Sequence, residues 1–113
     1  MTIHAFTDGA SRGNPGEAGV GVILKDEQGK KISSVFGHIG STTNNAAEYK
    51  ALIACLKLVA KTLCDRLIVH SDSELMVRQV KGEYKVKDGE IQKHFQEVFA
   101  LLENIPYEFE IVH

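Results

Sequence analysis

The chain has few of the features that would tie it to a membrane, a disulfide framework or an indiscriminate polyanion-binding surface. No apolar run approaches the roughly 18 residues needed to cross a bilayer, and the N-terminus carries no signal-peptide pattern. Only two cysteines occur, Cys55 and Cys64, and their spacing suits no metal site. Both fall in or beside a helical pattern, so they are expected to be reduced packing residues of a cytoplasmic protein. The formal net charge is only -2, which argues against a generic polyanion binder. A local basic patch acting together with divalent ions stays compatible with that charge. There is no internal repeat, low-complexity tract or interdomain linker. At 113 residues, 43% apolar and 25% charged, the chain describes one ordinary globular domain, 1–113, and nothing in it demands an oligomer or an obligate protein partner, so a monomer is expected.

The patterning that is present divides into elements. Residues 3–8, 18–25 and 31–39 read as an antiparallel meander, with DEQG (26–29) as the second turn. Gly19 and Gly21 leave one face of the middle strand bare, which marks either a packing device or a close approach by a ligand. Residues 45–63 switch to helical periodicity through Leu52, Cys55, Leu56, Val59 and Leu63. A strand over 66–71, a short helix over 73–81 and an amphipathic helix over 89–103 follow, and Pro106 precedes a last strand over 107–113. The order β-β-β-α-β-α-α-β predicts a mixed α/β fold, a sheet with helices on its faces and a right-handed crossover. The sequence stops inside a strand whose edge nothing covers, which suggests a longer natural protein.

Three acids sit in locally odd places. Asp8 ends the first strand-like run and opens the glycine-rich stretch GASRGNPG; Asp72 ends RLIVHSD; Glu48 lies on the apolar stripe of the first helix, after TTNN. Each has a plain alternative: a turn at Asp8-Gly9, a capping box between Asn45 and Glu48, and a helix N-cap at Asp72 or Ser71. Taken together they point elsewhere, because Glu48 shares a face with Leu52, Cys55 and Val59 and so is aimed at the core. Strand ends near the centre of such a sheet are where ligands collect. Spacing alone leaves open whether Glu48 reaches the same end. Three clustered carboxylates repel one another unless a cation joins them, and magnesium prefers this kind of oxygen donor.

Three segments, TDGASRGNPG (7–16), TTNNAAEYKAL (42–52) and SDSELMVRQVKGEYKVKD (71–88), match in order and spacing those of a known family. Over essentially its whole length the chain resembles type 1 ribonuclease H, in the compact bacterial and archaeal branch without the basic protrusion. The resemblance implies a five-stranded sheet in the order 3-2-1-4-5 and endonucleolytic hydrolysis of the RNA strand of RNA–DNA hybrids, leaving 5'-phosphate and 3'-hydroxyl ends. It implies two magnesium ions roughly 4 Å apart, with manganese as a possible substitute, and no side-chain nucleophile. Asp8, Glu48 and Asp72 match three of the family's four metal-binding carboxylates. The fourth lies on a final helix that would follow His113, so the domain is expected to lack that helix.

Substrate contacts are implied at Gly9, Asn14, Thr43, Asn44 and Asn45: Asn14 and Asn45 match positions that touch the hybrid's minor groove, where the 2'-hydroxyl distinguishes RNA from DNA, and Thr43 matches one that binds a DNA-strand phosphate. Lys81, Lys85 and Lys87, with Arg78 and Tyr84, form a basic stretch suited to the hybrid backbone. Glu74 departs from the glutamine usual in the family, which makes a helix-capping role expected there instead of a phosphate contact. His70 is expected to support the fold beside Asp72 without ligating metal. The competing reading is a ribonuclease H-like module that binds nucleic acid with weak or no catalysis.

Overall fold

The computed structural model describes residues Met1–His113, and its sheet follows from simple alternation along the chain. In β1 (Thr2–Ser11) Ile3, Ala5, Thr7 and Gly9 are buried while the residues between them are not, the period-two pattern of a strand covered on one face. β2 (Gly16–Lys25) and β3 (Lys31–Thr42) complete an antiparallel meander. The β2–β3 turn is fixed by Asp26, whose Oδ1 accepts the amides of Gln28 and Lys30, and by Gly29 at φ 83°. After α1 (Asn44–Val59), β4 (Arg66–Ser71) pairs parallel to β1; α2 (Glu74–Val80) and α3 (Gly89–Leu102) precede β5 (Glu108–Val112), which pairs parallel to β4. The strand order is β3-β2-β1-β4-β5.

The core lies between the sheet and α1. Ile3, Val22, Leu24, Leu67 and Val69 meet Tyr49, Leu52, Cys55, Leu56 and Val59, and α3 closes the outside of α1 with Ile91 and Val98. α1 is therefore a middle layer, which explains why its buried residues run around most of its circumference. Truncating a wholly buried member such as Leu52 to alanine removes about 2–5 kcal/mol. The other face of the sheet carries His4, Phe6, His70 and Phe36. Phe36 answers the question posed by the bare middle strand: a Cβ on Gly21, its cross-strand partner, would lie 3.1 Å from the ring. Gly21 is a seat for an aromatic ring. No helix is long and apolar enough to cross a membrane.

Several boundaries differ from the sequence expectation. β1 does not end at Asp8, because Gly9, Ala10 and Ser11 keep pairing with Val20, Gly19 and Ala18 of β2. α1 stops at Val59 and not at residue 63: the amides of Lys61 and Thr62 bond to the carbonyls of Leu58 and Val59, tightening the chain out of the helix. Leu63, which fitted the helical period, is 92% exposed. The caps differ too. Thr43, not Asn45, caps α1, and Ser73, not Asp72 or Ser71, caps α2. Cys55 and Cys64 are both free thiols.

A carboxylate cluster where two parallel strands part

The ladder between β1 and β4 ends at Thr7 and Ser71, while β1 goes on pairing with β2 as far as Ser11. Asp8 and Asp72 are the next residues, so they flank the notch where the two central strands separate. β3 runs in the same direction as β1, and α1 therefore begins at this same end of the sheet. That settles which end Glu48 enters. Gly9 makes the approach possible: a Cβ there would sit 2.1 Å from the Ala47 carbonyl oxygen, so only glycine lets α1 come this close to β1. Glu48 Oε1 then accepts the Gly9 N–H at 2.8 Å. Oxygens of Asp8, Glu48 and Asp72 all lie within 4.8 Å of one another.

The electrostatics of the trio are unfavourable without a counterion. Glu48 is only 9% exposed, whereas Asp8 and Asp72 face solvent. Burial first, then the charges of Asp72 and Asp8 and a hydrogen bond shared with Asp72, push its carboxyl from 4.5 up to about 7 against the stabilising Gly9 amide. No lysine, arginine or histidine forms an ion pair with any of the three. Hard oxygen donors, negative charge and solvent access on one side together fit a divalent cation of the magnesium type. His70 stands apart from this set. It hydrogen-bonds His4 at 3.0 Å and stacks on Phe6 at 4.7 Å, and burial followed by the neighbouring His4 lowers its pKa.

Asn14, Thr43, Asn44 and Asn45 come together in one cleft of about 370 Å³ with Asp88 and Ile91. Their polar groups also build the cleft. Asn14 Oδ1 accepts the Asn44 amide at 2.8 Å, Asn44 Oδ1 accepts the Ser11 amide at 2.7 Å, and Thr43 Oγ1 caps the Ala46 amide. Asn45 Oδ1 is buried with no partner. Ser11 joins this set although the sequence offered no signal for it beyond its place in the glycine-rich stretch. Gly9 belongs to a different category from the other expected contacts: it is buried, its amide is engaged by Glu48 and its Cα lies under α1.

The basic stretch is split. Arg78 pairs with both Glu74 and Glu83 and lies over the Tyr84 ring, so its charge is neutralised within the chain. Lys81, Lys85 and Lys87 are exposed and enter no ion pair. Glu74 serves as the i,i+4 partner of Arg78 and not as a helix cap, because Ser73 supplies that oxygen itself. Beside Asp8 the open face of the sheet forms a groove of about 590 Å³, lined in part by Phe6, Gly19, Gly21, Phe36 and Gly37.

A mixed sheet in this order, with three acids gathered where its central parallel strands part, defines a ribonuclease H-like domain. Residues 6–113 match the family model described as reverse transcriptase-like. The ribonuclease HI of Halobacterium salinarum is 41% identical over 91 residues, covering 80% of this chain and 46% of that protein. The crystal structure of RNase H1 from the same archaeon superposes with a TM-score of 0.93 at 36% identity, covering all of this chain and 85% of that one. LC11-RNase H1, solved in complex with an RNA/DNA hybrid, gives 0.92 at 40% identity over 98% of this chain and 83% of that one. The chain belongs to the ribonuclease H family, in its type 1 branch. It spans about half the length of the halobacterial enzyme and 28% of a Mycobacterium tuberculosis bifunctional relative, Rv2228c.

Proposed function

We propose that this chain is an endonuclease that hydrolyses the RNA strand of RNA–DNA hybrids. The observation that carries the reading is the placement of Asp8, Glu48 and Asp72 oxygens within 4.8 Å at the parted strands of a ribonuclease H fold. These three side chains would hold two magnesium ions, with manganese as a substitute. Divalent ions held there would supply activation of water and neutralisation of the scissile phosphate, consistent with 5'-phosphate and 3'-hydroxyl ends. Glu48 is oriented by the Gly9 amide, and the exposed Asp8 and Asp72 present their oxygens to solvent. Without cations the trio would repel a phosphodiester, so binding of metal and of substrate are coupled.

Recognition falls to the cleft of Asn14, Thr43, Asn44 and Asn45, where the asparagine amides suit the donor and acceptor character of a ribose 2'-hydroxyl and Thr43 suits a DNA-strand phosphate. Lys81, Lys85 and Lys87 meet backbone phosphates, which makes binding salt-dependent. All three of these carboxylates come from one chain, in keeping with a monomer. A cytoplasmic setting, where thiols stay reduced, is in keeping with the free Cys55 and Cys64.

The test is a labelled hybrid incubated with magnesium or manganese. Cutting of the RNA strand alone, abolished in Asp8→Asn, is expected. Cutting that survives Asp8→Asn sinks the assignment, and tight hybrid binding without cutting identifies a binding module of the same fold.

A further inference from the structure

Tyr49, the residue after Glu48 on α1, is wholly buried, yet it carries a hydroxyl into the core. That hydroxyl donates to Gln79 Oε1 at 2.8 Å. Gln79, on α2 and 6% exposed, in turn donates from Nε2 to the Lys85 carbonyl oxygen at 3.4 Å. Packing does not require this chain of polar groups, since an apolar pair of similar shape would fill the space with no donor or acceptor to satisfy. Its far end lies on the backbone of segment 81–88, which carries the three unpaired lysines. The same segment is held at neighbouring points. Gln92 Nε2 donates to the Val86 carbonyl at 3.0 Å, Val86 packs against the core, and the Arg78 carbonyl accepts the amides of Glu83 and Tyr84. The backbone is pinned at successive carbonyls while the lysine side chains remain free.

We infer that Tyr49 and Gln79 are positioning residues that fix Lys85 and Lys87 for the phosphates of a nucleic-acid hybrid. The inference rests on the function proposed above and adds to it. Glu48 is oriented separately by the Gly9 amide, so loosening the lysine segment leaves the carboxylates in place. The network therefore acts on substrate affinity and not on the chemical step.

Tyr49→Phe, Gln79→Leu and a Lys85→Ala, Lys87→Ala double variant test this in two measurements on the full chain. Amide hydrogen exchange at Glu83 and Tyr84, the hydrogen-bonded amides of the segment, reports it without any ligand. Affinity for a fluorescent RNA–DNA hybrid, measured across a salt series in an Asp8→Asn background, reports its use. Tyr49→Phe and Gln79→Leu each leave one buried polar group unpaired, so they are expected to melt modestly below wild type while staying folded, to speed exchange at the Glu83 and Tyr84 amides about tenfold beyond any change in the sheet amides, and to weaken hybrid binding about three- to tenfold. The slope of log affinity against log salt should fall by about one for each phosphate that the lysines no longer engage. In the cleaving protein KM should rise by the same factor with kcat unchanged. Tyr49→Phe added to a Lys85→Ala, Lys87→Ala double variant should weaken binding no further than the double variant alone. Unchanged exchange at the Glu83 and Tyr84 amides, or an effect of Tyr49→Phe that simply adds to that of a Lys85→Ala, Lys87→Ala double variant, would overturn the inference. A wild-type chain that neither binds nor cuts the hybrid, with exchange still responding, would instead overturn the proposed function.

Discussion

Replacing Glu48 by glutamine should stabilise the ion-free protein while removing its response to magnesium. The buried carboxyl titrates at about 7 instead of 4.5, so its ionisation is disfavoured in the folded chain. The folded value lies above the unfolded one; the stability linked to the neutral form is therefore complete below 4.5 and lost as pH rises through about 7. The displacement corresponds to roughly 3 kcal/mol, and water around Asp8 and Asp72 reduces this to about 2 kcal/mol. A glutamine at this position would stay neutral, and its amide oxygen can still accept the Gly9 N–H. In chelator near pH 8, Glu48→Gln is thus expected to melt about 10 °C above wild type, since each kcal/mol moves a domain of this size by about 4–8 °C. Adding magnesium should raise the wild-type midpoint through mass action and leave the variant nearly unmoved. Differential scanning fluorimetry over pH, with and without the ion, measures all of this. A variant that melts below wild type in chelator, or gains as much from magnesium, would refute the reasoning and mark Glu48 as a structural acid.

Gly9→Ala should be among the most damaging small substitutions in the chain, because the new Cβ would fall 2.1 Å from the backbone oxygen of Ala47, which cannot turn aside. A loss of about 3 kcal/mol or more in urea denaturation is expected, together with loss of hybrid cleavage as α1 and Glu48 move away. The His4–His70 pair should make stability fall in mild acid. His70 has a folded pKa below its ordinary 6.5, so its contribution is complete above that value and is lost as pH falls through the folded one. Measured in the Glu48→Gln background, which removes the opposing carboxyl, the melting temperature should decline below about pH 6.5, and His70→Gln should flatten that decline. A decline of the same steepness in His70→Gln would count against the pair.

Much of this architecture was legible because it is written in short-range patterns. Alternation located the strands, the spacing of Leu52, Cys55, Leu56 and Val59 located α1, and the three odd acids located the site. What escaped was set by contacts between distant segments. β1 outlasts its apolar run because β2 offers Ala18, Gly19 and Val20 as partners for Ser11, Ala10 and Gly9. Leu63 kept the helical period by accident, after turn hydrogen bonds had already ended the helix. Arg78 looked like one more cation for a phosphate, yet Glu74 and Glu83, four and five residues away, neutralise it. Neither Tyr49 nor Gln79 gave any warning of a shared hydrogen bond, since nothing local connects residues thirty apart in sequence.

The site also shows why three acids with respectable structural alternatives are better explained together. A capping box would have tied Glu48 to the amide of its own helix start, but Thr43 caps that helix and leaves Glu48 to reach across to β1. A turn at Asp8-Gly9 would have needed glycine for its backbone freedom; instead Gly9 is needed for the space its missing side chain gives to Ala47. An N-cap at Asp72 would have engaged its carboxylate, but Ser73 takes that task and Asp72 stays exposed. In each case the local duty is carried by a neighbour or has a different cause. The three carboxylates are thereby left with no structural partner but one another and the Gly9 amide, an arrangement whose mutual repulsion only a cation relieves.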